Sequence, residues 1–356
     1  MQDVFISRVE LSSYRNLDHL SQEWSPGINI IVGANGTGKT NILESFSLLS
    51  PGRGLKSAKY EDIHQYEAKI GWSSSVDLQS KLGVAEIISA YSNGSRKITY
   101  NGSKIPPSEL TNLLNVIWIT PQMDGIFLGS STNRRKFLDR LVYNFNPKHV
   151  QYLNKYDYFL KERNKILSEN NWRENENWLD NIENQMVDQA LLTQEARLNT
   201  IAYMQRAIND LSINFPKANL SLSPIFEGEC EKSNYLQQLL NSRVKDSYIG
   251  RTSIGVHKTD FIVEYQDKKT LAKNCSTGEQ KALLICLVIA SIEAVMNGTG
   301  SKPILLLDEL FVHLDPARKK SLSDYILSTK MQTFITTTDM EGLEFLQPKA
   351  KTLYLN

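Results

Sequence analysis

Cysteine is scarce. Cys230, Cys275 and Cys286 are the three in 356 residues, and they show no CxxC spacing. Neither a disulfide framework nor a zinc site is expected, and a reducing cytoplasm is. A charge excess of one sign is absent too: 40 lysines and arginines face 39 aspartates and glutamates, a formal net charge of +1. That excludes a bulk packager of DNA, so any nucleic-acid contact has to use local patches. Long apolar runs are also missing. The longest, Ala282–Ala290, is nine residues, where a membrane-spanning helix needs ~18 or more. No basic stretch leads into an apolar one after Met1-Gln2-Asp3, so no secretory signal and no membrane partner are expected. Internal repeats and low-complexity tracts are not visible. At ~150 residues per domain the length suggests two domains, or one with a large insertion.

What is present reads as α/β at both ends. Val4, Ile6 and Val9 alternate with polar residues, as on a half-buried strand. Ile28–Val32 is a second strand, followed by a glycine-rich stretch and a helical pattern at Ile42, Phe46 and Leu49. Ala85–Tyr91 and Arg96–Tyr100 flank Asn93-Gly94, a strong hairpin signal. Val116–Thr120 is a further strand. Between residues 133 and 211 apolar positions recur at helical spacing, as at Val150, Leu153, Leu160 and Leu167, then Ile182, Met186 and Ala190. This reads as a helical insertion too short for a long coiled-coil arm. Strand signals return at Asp260–Tyr265, and a buried helix is expected at Glu279–Met296. Strands are expected at Ile304–Leu307, Thr333–Thr337 and Leu353–Leu355. The expected division is one α/β head from residues 1–125 and 250–356, with a mainly helical subdomain at 126–249.

Gly33-Ala34-Asn35-Gly36-Thr37-Gly38-Lys39-Thr40, with Asn41 behind it, fits G-x-x-x-x-G-K-T between a strand and a helix. The glycines let backbone N–H groups surround phosphate, and the helix N-terminus adds partial positive charge. Lys39 would reach the β- and γ-phosphates of ATP, and the Thr40 hydroxyl would ligate Mg²⁺. Ile304-Leu305-Leu306-Leu307-Asp308-Glu309 is an apolar strand ending in two acids. Such an end is where open α/β sheets bind ligands. Asp308 would hold the Mg²⁺ shell and Glu309 would act as general base on the attacking water. Ser276-Thr277-Gly278-Glu279-Gln280 opens a helix. It reads either as a second anion site or as a plain capping box with Glu279 at the third helical position.

In their order these motifs resemble the ABC-type ATPases: phosphate loop, Pro121-Gln122, the 276–280 signature, Asp308-Glu309, and Leu314-Asp315. The resemblance implies an ABC-ATPase-like head with a mixed sheet and an antiparallel subdomain. In that family two heads dimerise around two ATPs. Ser276 and Gly278 of one copy would meet the γ-phosphate held by the other, Gln122 would sense Mg²⁺ and the γ-phosphate, and Asp315 would couple the two sites. One departure stands out. The strand after Asp315 ends Thr336-Thr337-Thr338-Asp339 where the family carries a histidine, which implies slow hydrolysis.

Several segments resemble the RecF family: Tyr14-Arg15-Asn16-Leu17, Thr40–Glu44, Pro51-Gly52-Arg53-Gly54, Gly129–Asp139, and Gly255-Val256-His257-Lys258-Thr259-Asp260. The last departs from the family's Gly-Pro-His-Arg-Asp-Asp. The resemblance implies a cytoplasmic, nucleoid-associated ATPase of DNA replication, recombinational repair and the SOS response. It would dimerise on ATP, bind DNA near single-strand gaps, and help RecR and RecO load RecA. It also places Arg15 close to the nucleotide, against a bland reading as a surface arginine. The candidate patches are Arg53, Lys56 and Lys59, then Arg134-Arg135-Lys136 and Arg318-Lys319-Lys320, each more readily a solvated helix face; among them Arg53 with Lys56 is the favoured DNA contact. Two other classes share the motifs. An ABC transporter subunit would space Gln122 and Ser276 more closely than 154 residues, and a Rad50- or SMC-like head would carry a far longer helical arm.

Overall fold

The computed structural model describes residues 4–65, 71–169, 171–226, 228 and 231–355. Cys230 lies outside them; Cys275 and Cys286 are in no disulfide among the described residues. The chain forms two compact units. The first comprises residues 1–124, 206–217 and 276–356, the second residues 125–205 and 218–275.

The first unit opens with β1 (Phe5–Tyr14), β2 (Leu17–Glu23), β3 (Ile28–Gly33) and α1 (Lys39–Ser47). It continues with β4 (Trp72–Ser80), β5 (Gly83–Ser92), β6 (Ser95–Tyr100), β7 (Ser103–Lys104), α2 (Leu110–Leu113) and β8 (Val116–Ile119). The second unit holds α3 (Ser131–Tyr143), α4 (His149–Leu167), most of α5 (Glu176–Asp210), β9 (Ala218–Leu222), α6 (Lys232–Ile249), β10 (Phe261–Tyr265) and β11 (Thr270–Leu271). The chain then returns to the first unit with α7 (Thr277–Thr299), β12 (Ile304–Asp308), α8 (Pro316–Thr329), β13 (Thr333–Thr337) and β14 (Ala350–Leu355).

Two sheets build the first unit. One is five-stranded and parallel, in the order β14-β3-β13-β12-β8. β12 and β8 read as apolar runs because both faces are covered: every residue of β12, β8 and the threonine-rich β13 is buried. The other is six-stranded and antiparallel, in the order β2-β1-β4-β5-β6-β7. Its β5–β6 hairpin turns on Asn93 and Gly94 with φ of 50° and 76°, the left-handed pair that a two-residue hairpin requires. α1 is pinned to β13 by Phe46, whose ring lies 4.5 Å from that of Phe334, while Trp24 meets Phe334 edge-on at 5.2 Å.

α7 is long and apolar enough, by length and composition, to cross a membrane, which a count of uninterrupted apolar residues does not reveal. Residues 280–292 are all buried, so it serves as the core helix of the head.

The domain division differs from the expected one. Residues 250–275 belong with the second unit because β10 pairs with β9 and β11. Asp260, moreover, takes two 2.7 Å bonds from Arg134 on α3. Residues 206–217, the end of α5 and the segment after it, count with the first unit. The 255–260 segment is an internal brace. Arg197 on α5 reaches the Val256 carbonyl and binds Asp139 through both carboxylate oxygens, at 2.8 and 2.9 Å. Arg135 donates to the Thr259 carbonyl. Arg134 and Arg135 are therefore committed inside their own unit rather than presented as a DNA patch.

Candidate nucleotide site

The site lies at the C-terminal ends of parallel strands. Residues 33–40 leave β3 and enter α1. Gly36 and Gly38 have φ of 87° and 103°, a left-handed backbone that glycine adopts without strain. Gly38 is the N-cap of α1 and no side chain caps that helix; Asn41 N–H donates to the Gly38 carbonyl at 2.9 Å, which leaves the Lys39 and Thr40 N–H groups to an anion. Gly33 is needed for a different reason: a Cβ there would sit 2.7 Å from the Leu355 carbonyl on the adjoining β14.

Lys39 is 4% exposed. Its ammonium donates to the Gly33 and Ala34 carbonyls at 2.7 and 2.9 Å and lies 3.8 Å from Glu309 Oε1. Thr37 Oγ1 donates to the Ala34 carbonyl at 2.9 Å. Thr40 Oγ1 donates to Asp308 Oδ1 at 2.9 Å across 268 residues of sequence. A hydroxyl and a carboxylate brought together are hard oxygen donors of the kind Mg²⁺ takes, so the residues present fit that ion. Glu309 follows Asp308 with φ of 49°, a conformation that costs a non-glycine residue roughly 1–3 kcal/mol and is concentrated at functional sites. A cavity of about 260 Å³ joins these groups, lined by Asn35, Gly36, Gly38, Lys39, Thr40, Asn41, Lys56 and Glu309.

Lys56, expected at DNA, is thus placed at the phosphate cradle. Its ammonium donates to Asn41 Oδ1. Burial, its largest influence, pushes its pKa below the usual lysine value. Behind it a polar chain runs to the loop: Asn41 Nδ2 donates to Asn16 Oδ1 at 2.6 Å, and Asn16 Nδ2 to the Gly36 carbonyl at 2.8 Å. Arg53 is exposed on the segment after α1.

Arg15 does not line the cavity. It grips Glu44, on α1, through both carboxylate oxygens at 2.8 and 2.6 Å, and the Asp62 carbonyl at 2.6 Å. Glu44 is fully buried, and its hydrogen bond raises the Arg15 pKa. Arg15 therefore supports the loop's helix from behind rather than touching the site.

The remaining expected residues sit apart from the cavity. Gln122 is exposed on the turn after β8, the strand beside β12. Ser276 is the N-cap of α7 in a full capping box: its hydroxyl accepts from Glu279 N and its own N–H donates to Glu279 Oε2 at 2.9 Å. Gly278 lies in the first turn of that helix. Asp315 caps α8 by accepting from Arg318 N at 3.0 Å. Thr338, just past the end of the strand that lacks the histidine, is exposed with its hydroxyl 3.3 Å from Asp339 Oδ2. Asn16, Glu44 and Thr336 escaped the sequence reading. Asn16 and Glu44 lie inside segments noted for their family resemblance, but nothing in the sequence pairs them with their partners.

Residues 5–353 match the family described as RecF/RecN/SMC N terminal domain. The chain is 45% identical, over 363 positions spanning both proteins in full, to a Rickettsia akari (strain Hartford) protein named DNA replication and repair protein RecF. A protein of the same name from Rickettsia prowazekii (strain Madrid E) is 46% identical, again over the whole of both chains. A solved structure of the recombination mediator protein RecF with ATP superposes with a TM-score of 0.83 at 24% identity, covering 95% of this chain and 93% of that one. The Smc head domain of Pyrococcus furiosus with an extended coiled coil gives 0.53 at 16% identity, covering 99% and 94%. At those identities the two structures speak to the fold alone, which is that of an SMC-like ATPase head. Full-length identity near one half, together with the matched family, settles the assignment: the chain belongs to the RecF family.

Proposed function

We propose that this chain is an ATP-dependent DNA-binding switch of replication and recombinational repair. The observation that carries the reading is the convergence of Lys39 and Thr40, from α1, and Glu309, just past β12, on one polar cavity, with Asp308 at the end of β12 bonded to Thr40 behind it. ATP is the ligand such a cradle takes. Lys39 turns from the loop carbonyls to the β- and γ-phosphates, and Lys56 adds a second cation at the rim. Thr40 and Asp308 would hold Mg²⁺, which when bound would neutralise charge on the phosphates, and Gln122 would sense it. Glu309 orients the attacking water and accepts its proton.

The cavity is below the ~300–1,000 Å³ of a site that encloses a small ligand by itself. One copy provides for the phosphates, and a second copy completes the enclosure. Ser276 and Gly278 at the N-terminus of α7 are the groups a partner copy would offer to the γ-phosphate, and Asp315, the N-cap of α8, would couple the two sites. The ATP-closed homodimer grips duplex DNA near a single-strand gap and assists RecR and RecO in loading RecA. Slow, DNA-stimulated hydrolysis then reopens it, in the cytoplasm. The rickettsial relatives' names and the recombination mediator's fold support this reading.

Sedimentation with and without ATP and gapped duplex tests it. Wild type is expected to dimerise with nucleotide and bind the duplex; Ser276→Arg is expected to bind ATP and stay monomeric. Equal dimerisation of the two proteins, or none by wild type, contradicts the shared-site reading.

A further inference from the structure

We propose that Thr336 is a positioning residue of the ATPase site, holding Asp308 and Glu309 in a fixed relation through a single hydroxyl. The inference rests on the nucleotide reading above. β13 lies between the two strands that deliver the site, with β3 on one side and β12 on the other. In that register Thr336 is the direct neighbour of Asp308 and of Ile31. In-register neighbours of a parallel sheet share a face, and Phe334, two residues earlier on β13, packs on Phe46 of α1. Thr336 therefore projects toward the helix that carries Thr40.

The hydrogen bonds leave one arrangement. Thr336 is 1% exposed. Its Oγ1 lies 2.7 Å from Asp308 Oδ1 and 3.1 Å from the Glu309 N–H. An amide N–H can only donate, and a hydroxyl has one proton to give. The hydroxyl thus accepts from Glu309 and directs its proton to Asp308. The Thr336 carbonyl takes the same Glu309 N–H at 3.2 Å. Asp308 Oδ1 in this way receives two hydroxyls, those of Thr336 and Thr40, which sets the rotation of the carboxylate. Glu309 is held by its N–H in its left-handed conformation at φ 49°. The neighbouring threonines do not share this role: Thr333 Oγ1 bonds the Met331 carbonyl and Thr337 Oγ1 the Asp339 carbonyl. The bland alternative is a buried threonine that merely satisfies its own hydroxyl. Its loss lowers stability and leaves the metal requirement untouched.

Thr336→Val keeps the shape and removes the hydroxyl; Thr336→Ser keeps the hydroxyl. The full chain is titrated with a fluorescent ATP analogue with and without MgCl₂, and kcat and KM for ATP are measured with gapped duplex. For Thr336→Val we expect metal-free nucleotide affinity within about twofold of wild type. The Mg²⁺ concentration for half-saturation should rise ~10-fold and kcat fall ~10–100-fold, the range seen when an outer partner of a metal ligand is removed. KM for ATP should change little, and Thr336→Ser should restore both quantities to within about threefold. Thr336→Ala carries the same expectations should the valine chain not fold. Wild-type Mg²⁺ dependence and kcat in Thr336→Val, or a serine variant as impaired as the valine one, overturns the inference alone. Absence of ATP binding by wild type overturns it together with the nucleotide reading.

Discussion

Replacing Arg15 with methionine separates a supporting role from a nucleotide contact. Arg15 and Glu44 form a two-pronged pair at 2.8 and 2.6 Å, with the Glu44 side chain fully buried and that of Arg15 20% exposed. Removing one partner of a buried pair leaves an uncompensated charge and costs ~3–5 kcal/mol. The exposure of Arg15 admits solvent screening, which puts the cost near the lower end, about 3 kcal/mol. At ~2–4 °C per kcal/mol for a unit of this size, the melting temperature should fall roughly 6–12 °C. Because Glu44 lies in the helix that follows the phosphate loop, ATP added in excess should recover part of that loss by binding the folded state. The double variant Arg15→Met/Glu44→Leu removes both charges and should melt within about 2 °C of wild type, since a buried ion pair replaced by apolar groups is often near neutral. Scanning calorimetry on the three proteins, with ATP titrations below the transition, measures all of this. The reasoning is refuted if Arg15→Met melts with wild type while its ATP affinity drops tenfold or more.

Two further outcomes follow from the titratable groups. Burial, its largest influence, lowers the His257 pKa from the usual 6.5 to about 4. Its Nε2 lies 3.1 Å from the Thr252 carbonyl, so Nε2 carries the proton and Nδ1 accepts from the Tyr156 hydroxyl at 2.6 Å. The unfolded chain takes up that proton first as pH falls. The stabilisation is therefore whole above pH 6.5 and declines by about 3 kcal/mol down to pH 4; urea unfolding of wild type against His257→Gln should show a flatter pH slope for the variant, and equal slopes contradict the assignment. Lys56→Gln should weaken ATP binding about tenfold, the loss of one charge-assisted contact, and leave the salt dependence of duplex binding unchanged. A salt slope shallower by about one unit with ATP affinity intact places Lys56 on DNA instead.

Much of the site is legible in the sequence because its pieces are local. The phosphate loop needs glycines where the backbone turns left-handed, and the apolar run ending in Asp308-Glu309 reflects a strand covered on both faces. Register is not local. Which strand lies between β3 and β12 cannot be read from 333–337, so Thr336 looks like any of three consecutive threonines. Arg15 and Lys56 depart from the places expected of them for the same reason. Each sits within a few residues of a motif, and whether a long basic side chain turns to the cavity or to a buried carboxylate is decided by tertiary partners. The strand β2 carries no sequence signal because half-exposed and exposed polar residues dominate it. The extent of the second unit was misjudged because pairing of β9 with β10 joins segments some 40 residues apart. Of the two readings of Ser276, the structure shows the capping box, in which its hydroxyl and N–H are both engaged with Glu279.

The most direct test of the account is equilibrium binding of ATP to wild type and to Lys39→Ala, followed by isothermal calorimetry with and without Mg²⁺. The account predicts saturable binding by wild type that tightens with Mg²⁺, and loss of that binding in a Lys39→Ala protein that melts like wild type. Undiminished binding by Lys39→Ala, or no binding by wild type, contradicts it.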